Sequence, residues 1–172
     1  MNASFILRTS DLPTFANSPN SNGSTNNSSA SSFTWNNIDM RLILGDLWDR
    51  YEYFNICLSS ALYSTATITY ASNDNKMSGI YMSGLNWTSN YDTGKKQRVP
   101  YVPIGYLASN PISSTNGAYY TFNTLFSNTF RRNDPITSLT IFYNKISDNT
   151  PVITTAPLPQ TAFTFKIIPI VM

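Results

Sequence analysis

The sequence contains no histidine and only one cysteine, and these two shortages exclude several kinds of catalytic and metal site. Without histidine there is no Ser-His-Asp triad, no Cys-His pair and no histidine-ligated zinc. With Cys57 alone, neither an internal disulfide nor a paired-cysteine redox or zinc motif can form. We therefore expect no bound metal, no cofactor, no catalytic residues and no enzymatic activity.

Charged residues are also scarce, at 12% of the chain against about 25% in an average domain. Acidic residues include a single glutamate, Glu52, and the formal net charge is +2. This small excess gives no electrostatic footprint for nucleic acid, so we expect no nucleic-acid partner. No apolar run approaches the ~20 residues that a transmembrane helix needs. The first residues lack the basic and apolar regions of a secretory signal, which predicts synthesis in the cytoplasm without secretion.

Neutral polar and aromatic residues take the place of the missing charge. Asn, Ser and Thr number 20, 22 and 20, and aromatic residues make up 14% of the 172 residues. This composition differs both from disordered chains, which are charged and poor in aromatics, and from the Ala/Glu/Lys/Leu mixture of helical bundles. It indicates one all-β domain, residues 1–172, with a largely neutral surface.

Alternating apolar residues predict eight to ten short strands separated by turn sequences. One helical turn is predicted at 47–53, and two prolines, Pro100 and Pro103, indicate an edge or bulged strand. This rhythm predicts an antiparallel β-sandwich, a single jelly roll of about eight strands, with immunoglobulin-like and other Greek-key sandwiches as alternatives. The predicted strands are 4–9, 38–44, 54–58, 65–71, 79–87, 99–107, 119–126, 136–144 and 162–171.

A low-complexity loop is predicted at about residues 17–33, where Asn, Ser and Thr dominate. The segment 151–159 carries three prolines. Because such segments gain order only when another surface supplies partners, we expect both to lie against other subunits.

Three acidic residues three positions apart, Asp46, Asp49 and Glu52, would share one face of a helical turn. That pattern suits a calcium site or a glycosidase carboxylate pair. The structural interpretation is favoured instead: Asp46 follows Gly45 as a helix N-cap, and the other two carboxylates lie near the helix start. The lone thiol of Cys57 lies in an apolar strand and is predicted to be buried.

Two basic clusters are the candidate partner contacts. Lys95, Lys96 and Arg98 form one cluster, and Arg131 and Arg132 form the other. They suit an acidic partner or anionic lipid headgroups. The favoured interpretation is that both clusters lie in solvated loops. Several aromatic side chains suit either sugar stacking or a protein core and interface. These are Trp35, Trp48, Trp87, Tyr101, Tyr106, Tyr119 and Tyr120.

Residues 35–58, WNNIDMRLILGDLWDRYEYFNICL, read as a strand, a Gly-Asp turn, an aromatic and acidic turn, and a second strand. This segment resembles one in small capsid-associated proteins of large icosahedral DNA viruses. The resemblance implies a single jelly roll that acts in the virion as a minor capsid or vertex protein. It implies other capsid proteins as partners, in a homo- or hetero-oligomer, and no catalytic residues. The alternative function is a carbohydrate- or receptor-binding β-sandwich module.

Overall fold

A computed structural model describes most of the chain. The described residues are 2–11, 32–64, 77–85, 90–93, 96–99, 101–108, 118–123, 127–134, 136–146, 149–150, 152 and 160–171. The predicted strand at 65–71, the loop at 17–31 and most of the segment 151–159 lie outside these residues.

Two antiparallel sheets and a small hairpin contain the strands of this part of the chain. The first sheet, called sheet one, has the order β1-β11-β3-β8, and β9 also pairs with β3. Its strands are β1 (Ala3–Arg8), β3 (Tyr53–Tyr63), β8 (Ala118–Thr121), β9 (Ser127–Arg131) and β11 (Thr161–Ile170). Sheet two has the order β2-β10-β4-β7. Its strands are β2 (Ser32–Asn36), β4 (Met77–Ser83), β7 (Tyr101–Ala108) and β10 (Ser138–Lys145). The separate hairpin pairs β5 (Asn90–Asp92) with β6 (Gln97–Val99).

The pairing pattern is that of a long hairpin rolled into a sandwich. The outermost strands pair with each other, β1 with β11, and the next pair inward is β2 with β10. β3 then pairs with β8 and β9, which act as one interrupted strand, and β4 pairs with β7 at the centre. Two further pairings, β11 with β3 and β10 with β4, complete the two four-strand layers. This is the jelly roll of eight strands that the sequence predicts.

The core lies between the two sheets and is rich in aromatic rings. Phe33 and Trp35 of β2 meet Phe163 of β11 across the sandwich, at centroid distances of 6.4 and 6.1 Å. The hydroxyls of Tyr63 and Tyr143 are buried 3.1 Å apart, so each provides a polar partner for the other inside the core. The alternating residues that predicted 54–58 as a strand are buried here, as expected.

Residues 40–44 form a helix, so the prediction of a strand at 38–44 is wrong. Two short helices, α1 (Met40–Leu44) and α2 (Asp46–Arg50), join β2 to β3. Met40 and Leu44 are buried, whereas Leu42 is 81% exposed. Residues four positions apart lie on the same face in a helix and also in a strand. The spacing of the apolar residues alone therefore could not distinguish a helix from a strand here.

The capping residue of α1 is the sequence signal that distinguishes a helix from a strand in this segment. Asp39 accepts hydrogen bonds from the backbone N–H groups of Arg41 and Leu42, at 3.0 and 3.1 Å. Gly45 ends α1 with a positive φ of 53° and also precedes α2 without any side-chain cap. The prediction that Asp46 caps a helix is therefore wrong, because Asp46 is the first residue of α2 and Asp39 is the capping side chain.

We expect Asp39→Ala to lower the free energy of unfolding by about 1 kcal/mol, because two N–H groups of α1 lose their acceptor. Asp39→Asn should keep most of this stability, since the amide oxygen can accept the same bonds. Urea unfolding of both variants measures the difference. Equal losses in the two would show that the cap contributes nothing.

A bulge in β3 reverses which residues face the core. Phe165 pairs with Leu58 but Thr164 pairs with Ser60, so Ser59 is an extra residue. Even-numbered residues from Phe54 to Leu58 point inward, whereas beyond the bulge the inward residues are Ala61 and Tyr63. A second bulge lies where β4 pairs with β7, next to Pro103. β7 is also the last strand of sheet two, as the prolines predicted.

Four strands lie wholly or mostly where the sequence predicted loops or no structure. β2 begins at Ser32, so the last two residues of the loop predicted at 17–33 belong to a strand, and Phe33 is fully buried. β9 was not predicted as a strand, and the β5–β6 hairpin lies within a predicted loop. These strands have three to five residues, which is too short for an alternating pattern to be distinguished from chance.

Candidate functional site

The Arg131 guanidinium, a predicted partner contact, is bound to a carboxylate of the same chain. Its Nε donates to Glu52 Oε1 at 2.7 Å, its Nη2 forms an ion pair with the same oxygen, and its Cζ lies 5.9 Å from the centroid of the Tyr53 ring. The hydrogen bond and charge of Glu52 raise the pKa of Arg131. Both side chains remain partly exposed, so this contact ties β9 to the start of β3 at the surface.

The Arg132 side chain is used in a similar way. Its Nη1 donates to the backbone carbonyl oxygens of Trp48 and Asp49 at 3.1 and 3.4 Å. A cation beside the last carbonyl groups of a helix stabilises the helix. Arg132 therefore links α2 to the end of β9. Sequence reasoning could not foresee either contact, because the partners lie about 80 residues away along the chain.

The other basic cluster lies on the β5–β6 hairpin. Lys96 occupies the turn with a φ of 51°, and Arg98 is opposite Tyr91; both cations are exposed. The hairpin is anchored by Val99, which is buried. Lys95 lies outside the described residues. Of the described contact residues, Lys96 and Arg98 thus lie exposed on the hairpin, whereas Arg131 and Arg132 bind groups of the connection between β2 and β3.

The acidic residues Asp46, Asp49 and Glu52 do not converge on a common point. Glu52 follows α2 and binds Arg131, whereas Asp46 and Asp49 line a depression together with Asp39, Arg41 and Leu42. Within the described part of the chain, no three carboxylate or cysteine side chains are grouped to hold a metal ion. This depression between the two helices is called the α1–α2 groove below, and its lining residues are Asp39, Arg41, Leu42, Gly45, Asp46 and Asp49.

The outer face of sheet one exposes apolar side chains in two adjacent cross-strand rows. One row runs Arg8, Ala162, Leu62, Tyr119, and the next runs Ile6, Thr164, Ser60, Thr121. Leu62 is 52% exposed, Tyr119 64% and Ile6 45%. We call this surface the outer apolar patch. Leu62 could not be assigned to it from the sequence, because unbroken alternation from Phe54 would place it in the core.

The outer face of sheet two carries an aromatic cluster. The rings of Tyr81 and Phe142 stack at 5.6 Å, and Tyr101 meets both edge-on at 5.5 and 5.2 Å. The Asn149 amide donates to the Tyr101 hydroxyl at 2.7 Å. The three rings are half-buried, mainly because they cover one another.

The remaining aromatic candidates divide between core and surface. Trp35 is buried and its Nε1 donates to the Arg8 carbonyl at 3.0 Å, so it acts in the core. Trp48 and Tyr120 are half-buried against the core. Tyr106 and Tyr119 are exposed, and Trp87 lies outside the described residues.

Charge is distributed unequally between the two ends of the sandwich. Three connections, which join β2 to β3, β4 to β7 and β9 to β10, meet at one end. Their described parts contain eleven charged residues: Asp39, Arg41, Asp46, Asp49, Arg50, Glu52, Asp92, Lys96, Arg98, Arg132 and Asp134. The described parts of the connections at the opposite end contain one charged residue, Asp11. We call the first the charged end. The charge of the described residues is therefore concentrated at this end.

The Cys57 thiol is buried, as the sequence predicts, and its Sγ donates to the Lys166 carbonyl at 3.6 Å. Burial raises the pKa of this thiol above its ordinary value of 9.0. Because the fold favours the protonated thiol, the free energy of unfolding is unaffected below pH 9.0 and falls as the pH rises above it.

We accordingly expect Cys57 to resist a water-soluble thiol reagent at pH 8 and to react once per chain in denaturant. The absorbance of the released chromophore measures both reactions. Fast labelling of the folded protein would mean that β3 opens locally from its neighbours.

None of the helices in the described residues is long and apolar enough to span a bilayer. No protein-family model matches the chain, and no curated protein matches it. Among solved structures, the chain is similar to a cryo-EM structure of a virus-like particle of the extra small virus of the giant freshwater prawn Macrobrachium rosenbergii. The TM-score is 0.30 at 10% sequence identity, over 97% of this chain and 77% of that chain.

Proposed function

We propose that this protein is a structural subunit of a virion, a jelly roll that packs against neighbouring capsid subunits as a minor capsid or vertex component. The jelly-roll connectivity supports this role, since the fold is common in viral capsid proteins, although it also occurs in lectins. In this proposal the chain has no catalytic activity and needs no cofactor.

The observation that carries the proposal is the outer apolar patch. Ile6, Leu62 and Tyr119 lie in adjacent rows of a four-strand surface, and each is about half exposed. Clustered apolar side chains on a flat face mark a surface that a partner protein covers. Tyrosine suits such a contact because its ring is buried while its hydroxyl still finds a hydrogen bond.

The polar residues around the patch fit the same role. Ser4, Thr164, Thr121 and Thr129 lie on this face and are neutral. Neutral hydroxyls can bond across an interface without the desolvation penalty of a buried charge. Arg8, Lys166 and Arg131 lie on the same face, so a partner that covers the patch meets these cations as well as the neutral hydroxyls.

The test is the association state of the purified chain, with the double variant Leu62→Ser, Tyr119→Ser beside the wild type. We expect the wild type to sediment as species larger than the 19.2 kDa monomer, and the variant to shift toward monomer by at least about 10-fold in dissociation constant. Ile146→Ser removes an exposed apolar side chain at a turn outside this face and serves as the matched control. A wild type that stays monomeric at every concentration would contradict the proposal.

The aromatic cluster favours one alternative, a carbohydrate-binding module. Tyr81, Tyr101 and Phe142 form a polar-edged platform on the outer face of sheet two. A glycan array distinguishes the two functions: binding that Tyr101→Ala abolishes would support the module, and no binding would leave assembly as the function.

A further inference from the structure

Two oppositely charged features lie at opposite edges of the charged end. α1 and α2 join β2 to β3, and α1 packs against β1, so the helices lie beside the edge formed by β1 and β2. The β5–β6 hairpin joins β4 to β7, and β7 is the far edge of sheet two. The two features therefore extend from opposite sides of one sandwich at the same end.

The first feature, the α1–α2 groove, is acidic with an apolar lip. Asp39, Asp46 and Asp49 line it against the single guanidinium of Arg41. Leu42 also lines it and is 81% exposed, although it lies in a helix whose Met40 and Leu44 are buried. An exposed leucine flanked by carboxylates suits a partner that brings both cations and the apolar stems of long side chains.

The second feature, the β5–β6 hairpin, has that chemistry. Its described cations are Lys96 and Arg98, and the sequence from residue 90 to residue 99 has a net charge of +2. Lys96 and Arg98 are exposed, and the hairpin extends beyond the paired ends of β4 and β7 at Ser83 and Tyr101. The groove, with three carboxylates against one guanidinium, has the opposite net charge of −2.

We propose that the β5–β6 hairpin of one copy docks in the α1–α2 groove of a second copy. Because the two surfaces are different and lie on opposite edges, the contact is head-to-tail, and repeating it generates a ring where the rotation closes and an open filament where it does not. This inference deepens the assembly role proposed above, to which it adds the identity of a partner and the geometry of one contact. The Lys96 and Arg98 side chains face Asp46 and Asp49 of the neighbour, and their stems cover Leu42.

The electrostatic nature of the contact gives it a measurable signature. Both surfaces are solvent-exposed, so salt screens their attraction, with a Debye length of about 10 Å at 0.1 M salt and about 3 Å at 1 M. Raising the salt from about 0.05 M to about 0.5 M should weaken self-association several-fold, mainly through slower association. Packing on the outer apolar patch lacks such a salt dependence, which separates the two contacts.

Complementary charge reversal tests the pairing directly. One variant carries Lys96→Glu with Arg98→Glu, and the other carries Asp46→Lys with Asp49→Lys. Asp39 is left unchanged because it caps α1. Each variant alone should self-associate at least about 10-fold more weakly, since like charges then face each other across the contact. Mixing the two should restore association, because the reversed hairpin fits the reversed groove.

Lys145→Glu is the matched control, because it reverses one cation at the other end of the sandwich, where β10 finishes. Circular dichroism and thermal melting test whether each variant is folded. If a variant is unfolded, the salt titration of the wild type gives an independent test of the contact. Unchanged association in either variant, or no restoration on mixing, would overturn the inference. If only the outer-patch variant weakens association, the assembly role stands and the head-to-tail contact is wrong. A wild type that is monomeric would contradict both the assembly role and the head-to-tail contact.

Discussion

Replacing Phe163 by alanine should lower the free energy of unfolding by about 3–5 kcal/mol, a large share of the 5–15 kcal/mol typical of a domain. Phe163 is fully buried on β11, and its ring lies against those of Phe33 and Trp35 from the opposite sheet. Removing the ring leaves a cavity where the two layers meet, and rigid aromatic neighbours cannot collapse to fill it. The melting temperature should fall by well over 5 °C.

Chemical unfolding monitored by tryptophan fluorescence measures this loss, because Trp35 is in contact with the deleted ring. Tyr119→Ala is the matched control: it also removes an aromatic ring from sheet one, but from an exposed position, and should change the stability by no more than about 0.5 kcal/mol. Both proteins are compared at a concentration where they are monomeric. Similar losses would mean that the two sheets do not share the core described above.

Substituting Gly84 by alanine is the second change with a large expected effect, about 3–4 kcal/mol. Gly84 has a φ of +106°, which side-chain-bearing residues rarely adopt. A Cβ built there would overlap the backbone carbonyl oxygen of Ser138 at the start of β10. Because a backbone atom cannot rotate aside as a side chain can, either β4 or β10 must shift.

Gly45→Ala separates the two causes of this loss. Gly45 also has a positive φ, of 53°, but a Cβ there meets nothing within 4 Å. Its alanine variant carries the backbone strain without the collision and should lose about 1–2 kcal/mol. Urea midpoints of the two variants, at unchanged slope, give the comparison. A greater loss at Gly45 than at Gly84 would show that the Ser138 contact is not tight.

The fold class was predictable from the sequence because alternation and turn residues are local signals. Phe54, Ile56 and Leu58 alternate within one strand, and the prolines near residue 100 placed β7 at an edge. The segment 38–44 was not predictable from its apolar residues, which fit both periods. Asp39 and Gly45 carried the missing information, since a capping side chain and a positive φ mark the two ends of a helix.

The candidate surfaces were less predictable, because they depend on contacts between distant parts of the chain. The Arg131 and Arg132 side chains could be recognised as basic, but their partners Glu52 and Trp48 come from another connection. Leu62 is exposed because one extra residue, Ser59, reverses the phase of β3. No local pattern reports such a bulge, so the outer apolar patch emerges only from the paired strands.

The rolled-hairpin connectivity has a consequence for how the protein is made. β11 is the last strand in chain order, yet it lies between β1 and β3 and pairs with both; Ala3, for example, is opposite Ile167. Among the described strands β1 pairs with β11 alone, so during translation it stays unpaired with them until residues 161–170 have been synthesised. Until then the apolar faces of β1 and β3 are open to other chains, and pairing across more than 150 residues is slow. We therefore expect the nascent chain to be prone to aggregation until residues 161–170 are inserted.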